Sequence, residues 1–132
     1  MRKRSMAMLA AGATVSALAI TATPAAATDF WQAWGAGSYH ASSDFVPTGG
    51  SVHIGGWTCT GGAARSFYVQ LVKTSSSTGV FSSYSYGADG VDHTDPRAIA
   101  VSTSTSYYLR WYGRNNSGQA ASAPCSKAYA TN

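Results

Sequence analysis

The chain is 132 residues long, carries a formal net charge of +4, and draws its five acidic residues from Asp alone. That length fits one domain. The absence of Glu removes paired-glutamate acid–base chemistry, and the scarcity of Leu, Lys and Glu argues against a fold built on ordinary helix surfaces.

The N-terminal stretch has the three-part layout of a secretory signal peptide. Arg2, Lys3 and Arg4 form a basic start, residues 6–20 are uncharged and apolar, and Pro24 precedes Ala25, Ala26 and Ala27. The apolar stretch falls short of the roughly 18 to 20 residues that span a bilayer. Cleavage after Ala27 and export are therefore expected; an uncleaved N-terminal anchor is the main alternative, and a twin-arginine route is weaker because Lys3 separates Arg2 from Arg4. The expected division is a leader over residues 1–27 and a single secreted β domain over residues 28–132, with no membrane segment after cleavage. Without the leader, Arg65, Lys73, Arg97, Arg110, Arg114 and Lys127 face five aspartates, a net of about +1. No general affinity for nucleic acid or anionic membrane follows, so electrostatic function must come from local placement.

Beyond the leader, β-branched and aromatic residues occur in short runs between turn residues, which predicts about seven strands. The first is loose, within residues 30–41; Phe30, Trp31 and Trp34 are expected to tuck in as an edge strand, the other option being an exposed aromatic arm. Residues 51–60 follow, where Gly55 and Gly56 suggest a bulge or kink. In residues 66–74, Phe67, Val69 and Leu71 face inward while Tyr68 and Gln70 face outward. Residues 79–87, read as one strand, put Val80, Ser82, Tyr84 and Tyr86 on one side. Residues 97–103 and 106–114 come next, and residues 124–130 close the chain with Cys125, Lys127 and Tyr129 on one side.

This pattern predicts an all-β protein: a small antiparallel β-sandwich, immunoglobulin-like in architecture alone, with a small β-barrel as the alternative. Cys59 and Cys125 are the only cysteines. In an exported chain such a pair is expected to form a disulfide, closing a loop of about 66 residues worth up to roughly 4 kcal/mol of chain entropy. Trp57, two residues before Cys59, and Trp111 both qualify to pack in the core near the bridge.

The stretch "SYYLRWYGR" carries the sharpest functional signal. Alternation puts Tyr107, Leu109, Trp111 and Gly113 on one face and Tyr108, Arg110, Tyr112 and Arg114 on the other. The second face, with Tyr68, Tyr84 and Tyr86 from other strands, is the candidate binding surface. Tyr offers rigid amphipathic contact area, and Arg adds stacking and bidentate hydrogen bonding to carboxylates. Ordinary cross-strand packing is the competing reading. The expected function is non-catalytic binding of an extracellular or cell-wall polysaccharide; a secreted protein-binding factor such as a hydrolase inhibitor comes second, and a small toxin or hydrolase third.

Residues 87–97 crowd Asp89, Asp92, His93 and Asp95 into one connection. The spacing fits no calcium-loop template and has His where an oxygen ligand is wanted, so a turn is expected and no metal or cofactor is assigned. His40 and His53 have no acid or nucleophile beside them, and no G-x-S-x-G motif is present, so no catalytic residue is assigned. The Asn115-Asn116-Ser117-Gly118 run fits an N-glycosylation sequence but reads better as a turn.

Overall fold

The computed structural model describes residues 28–132, so the predicted leader lies outside the described residues. Ten strands run in chain order: β1 (Thr28–Trp34), β2 (Tyr39–Ala41), β3 (Ser51–Thr58), β4 (Ser66–Lys73), β5 (Thr78–Ser82), β6 (Tyr86–Gly87), β7 (His93–Thr94), β8 (Ile99–Ala100), β9 (Tyr107–Arg114) and β10 (Ser126–Thr131). They form two antiparallel sheets. The first has the order β1-β10-β3-β7, with β8 also on β3; the second has the order β2-β9-β4-β5, with β6 also on β4. Neither sheet closes into a barrel, and the protein is an all-β sandwich.

The alternating pattern sets the core. Val52 and Ile54 of β3 and Ala128 and Ala130 of β10 face Phe67, Val69 and Leu71 of β4 and Leu109 and Trp111 of β9, all essentially inaccessible to solvent. Small residues on β10 oppose large ones on β9, so the layers interdigitate. Trp111 takes the core position, its ring 6.2 Å from Phe67. Trp57 points the other way, to the outer face of the first sheet opposite Lys127.

Several expected elements are redrawn. The loose first strand is two: β1 forms the edge of the first sheet, and the chain then crosses to the second sheet as β2. Phe30 stacks on Phe45 at 4.7 Å and Trp34 on His40 at 5.1 Å, so β1 is an edge strand with these two rings tucked in, but Trp31 points outward and stays exposed. Gly55 and Gly56 make no bulge, because pairing with β10 runs through them unbroken. They serve close approach instead: a Cβ on Gly55 would lie 2.2 Å from the His93 carbonyl oxygen, and one on Gly56 would lie 2.6 Å from that of Lys127. The predicted strand over residues 97–103 shrinks to the two residues of β8, while the presumed turn at residues 87–97 contributes β7.

Cys59 and Cys125 form the disulfide, with Cα atoms 5.2 Å apart. They lie just past β3 and just before β10, and the Cys59 amide donates to the Cys125 carbonyl at 2.9 Å. The bridge therefore staples neighbouring strands of one sheet rather than spanning the two.

Candidate binding face on the second sheet

β9 is the centre of this face because it pairs along its length with β4 and through its middle residues with β2. Its burial alternates without a break, Tyr107, Leu109, Trp111 and Gly113 buried and Tyr108, Arg110, Tyr112 and Arg114 half-exposed. Register then places Tyr39, Tyr112 and Tyr68 in one row across three strands. The Tyr68 and Tyr112 rings stack at 4.7 Å with planes 12° apart, and Tyr39 leans on Tyr112 at 5.2 Å. Tyr112 is thus flanked on both sides, with one ring face turned to Tyr68. Burial pushes the Tyr112 phenol above its ordinary pKa, opposed by the Arg110 guanidinium.

The two arginines bracket this row. The Arg114 guanidinium lies 5.2 Å from the Tyr112 ring and 5.5 Å from Tyr68, within cation–π range. In the next row, Gln70 holds Arg110: Arg110 Nη1 donates to Gln70 Oε1 at 3.2 Å, and Nη2 donates to the Tyr108 hydroxyl at 2.9 Å. The Tyr112 hydroxyl also donates to Gln70 Oε1, at 3.4 Å, and Gln70 Nε2 donates to Ser82 Oγ at 3.3 Å. Arg110 Nε is buried and has no hydrogen-bond partner among the described residues.

The charge on this face is uncompensated. Among the described residues the ion pairs are His93 with Asp89, Arg97 with Asp95, and Lys127 with Asp92. Arg65, Lys73, Arg110 and Arg114, which all belong to β4, β9 or the residue leading into β4, take part in none of them. Arg110 and Arg114 are held instead by neutral oxygens, so their positive field is available to an incoming anion.

Tyr84 and Tyr86 do not join the strip. Between Ser82, opposite Gln70, and Tyr86, opposite Phe67, the chain advances four residues while β4 advances three. That one extra residue inverts the alternation. Tyr86 consequently turns inward, 6.0 Å from Phe67 and stacked on His93 at 5.0 Å. Tyr84, 52% exposed, lies in the break under the Arg97 guanidinium, 3.8 Å from its ring.

The aspartate cluster disperses among separate partners. Asp89 accepts from His93 Nε2 at 2.9 Å, which draws its carboxyl below the ordinary range, and Asp92 pairs with Lys127 at 3.2 Å. Asp95, fully buried, accepts from Arg97 Nε and Nη2 and from the amides of Tyr84 and Arg97. Chiefly through Arg97, its pKa is drawn down to about 2. No group of three or more His, Cys, Asp or Glu among the described residues is placed to hold a metal ion. Asn115 closes a turn, its Oδ1 accepting from the amides of Ser117 and Gln119.

No family model, curated protein or solved structure matches this chain.

Proposed function

We propose that the protein is a secreted, non-catalytic binder of anionic extracellular polysaccharide, engaged by the outer face of the second sheet. The observation that carries this reading is the pair Arg110 and Arg114, in no ion pair among the described residues and bracketing a three-strand row of tyrosines. Guanidinium groups match carboxylates in a bidentate geometry, and Tyr hydroxyls complement sugar hydroxyls at low entropic cost. Tyr68 and Tyr112 stack on each other, which favours edge-on hydrogen bonding there over the flat stacking of sugar rings. A disulfide fits an oxidising compartment, as does the leader over residues 1–27.

Co-sedimentation with insoluble peptidoglycan, cellulose and chitin, beside calcium-crosslinked polygalacturonate, tests this. Carboxylate-bearing polymers are expected to retain the protein, with retention falling roughly tenfold in both Arg110→Ala and Tyr108→Ala. Retention by no carboxylate-bearing polymer would overturn the reading. The same guanidiniums would then point to an acidic protein surface as ligand.

A further inference from the structure

The outer face of the first sheet has a different build. Register aligns Trp31 of β1, Tyr129 of β10, Gly55 of β3 and Thr94 of β7 in a single row. Because Gly55 has no Cβ, which would stand 2.8 Å from the Tyr129 hydroxyl, the Tyr129 side chain can run across β3. Its hydroxyl meets Thr94 Oγ1 at 2.7 Å. Tyr129 is almost fully buried despite pointing away from the core, and burial pushes its phenol above the ordinary pKa. It forms the floor of a groove of about 440 Å³, lined also by Trp31, Asp92, Thr94 and Lys127. That volume lies within the range of small-molecule clefts, roughly 300 to 1,000 Å³.

We propose that this groove is a second carbohydrate site, for a neutral pyranose, distinct from the arginine face on the opposite side of the sandwich. Two features select the ligand. Trp31 is 61% exposed and makes no ring stacking or cation–π contact with any described residue, so its indole face remains open. Tyr68 and Tyr112, by contrast, spend ring faces on each other. Beside the indole, the groove's only charges are the paired Lys127 ammonium and Asp92 carboxylate, 3.2 Å apart.

A net anion entering the groove would gain Lys127 but be repelled by Asp92, and a cation would face the reverse. A neutral sugar suffers neither. Its vicinal hydroxyls both donate and accept, so one can donate to Asp92 while its neighbour accepts from Lys127. The Thr94 hydroxyl supplies a further partner, and an axial C–H face of the ring can lie on the indole of Trp31. This site uses none of the second-sheet residues, so it stands whether or not the arginine face binds polysaccharide.

The test is a titration of the ¹⁵N-labelled protein with cellohexaose, xylohexaose, mannohexaose and chitohexaose, each to about 10 mM, a concentration that reaches even weak millimolar binding. The four tryptophan indole signals are assigned with Trp31→Phe. At least one neutral oligosaccharide should shift the Trp31 indole signal and the Thr94 and Lys127 amides. Affinity should fall roughly tenfold in Trp31→Ala and several-fold in Asp92→Asn, stay unchanged in Arg110→Ala, and be indifferent to added salt. Trp31 and Asp92 are exposed, so both variants should melt like the parent, and either alone suffices for the test. The proposal is overturned if no neutral oligosaccharide shifts the Trp31 indole. It is equally overturned if the shifts persist in Trp31→Ala and Asp92→Asn, or if only a galacturonate oligomer produces them.

Discussion

The two outer faces of the sandwich use the same residue types in opposite ways. On the second sheet, Tyr68 of β4 stacks on Tyr112 of β9 while Tyr39 of β2 leans on Tyr112 at a tilt, and the cations beside them have no carboxylate partner among the described residues. On the first sheet the cation is paired with Asp92 and the large aromatic, Trp31, stands open. The difference originates in register. Tyr opposite Tyr at the Tyr68 and Tyr112 pair closes the rings together, whereas Gly55 lets the Tyr129 side chain lie across β3 to Thr94. A surface rich in aromatics and cations is therefore not one kind of surface; what each group is already bound to decides what it can still bind.

The harshest challenge to the independence of the faces is removal of the disulfide, which touches only the first sheet. Cys59→Ala with Cys125→Ala should lower stability by up to about 4 kcal/mol, read from denaturant midpoints. Amide exchange should accelerate first in β3 and β10. Simultaneous acceleration in β4 and β9 would show that the sheets open only together.

Acid should act on the seam between the sheets, where Asp95 anchors the crossing segment through Arg97 and the Tyr84 amide. Its folded pKa of about 2 lies below the 3.8 of a free aspartate side chain. The folded state therefore binds this proton less readily than the unfolded chain, so the contribution is present above pH ~4 and lost as pH falls through ~2. The loss is on the order of 2 kcal/mol. Asp95→Asn should be less stable at neutral pH and should flatten the stability profile in that window; an unchanged profile would remove Asp95 from the account.

His40 adds a milder sensitivity at higher pH. Burial between Trp34 and Trp111 lowers its pKa despite a backbone hydrogen bond to Gly35 that raises it. The unfolded chain takes up this proton first, so stability should decline as pH drops below about 6.5. His40→Gln should lessen that decline.

The smallest effect sharpens the comparison most finely. A Cβ on Gly79 would stand 2.6 Å from Gln70 Nε2, the end of a flexible side chain that can swing aside. Gly79→Ala should cost less than ~1 kcal/mol of stability. By displacing the acceptor that holds Arg110, it should still weaken anion binding a few-fold while leaving the first-sheet groove untouched.

What was legible in the sequence followed the local alternation of side chains. The inward and outward sets of β9 and β4 could be read directly, because a strand of eight residues defines its own faces. The disulfide was legible from cysteine count. The fate of Tyr84 and Tyr86 was not, since the extra residue between β5 and β6 appears only when both are paired with β4. The first-sheet groove was hidden for the same reason. Alternation puts Lys127 and Tyr129 on one side of their strand, but Trp31, Asp92 and Thr94 come from distant segments joined only by the order β1-β10-β3-β7. Gly55 looked like a kink because a missing side chain says nothing about which neighbour fills its space.

The most direct test of the arginine face is its affinity for soluble polygalacturonate across a salt series. It would be measured for the wild type and for the Arg110→Ala, Arg114→Ala double variant, both confirmed folded by circular dichroism. Two charge-assisted contacts predict a wild-type affinity that falls steeply with salt, and a double variant weaker by roughly a hundredfold with little salt dependence left. Equal affinities and equal salt profiles for the two proteins would contradict the account, and would leave the tyrosine and arginine rows as packing of the sheet.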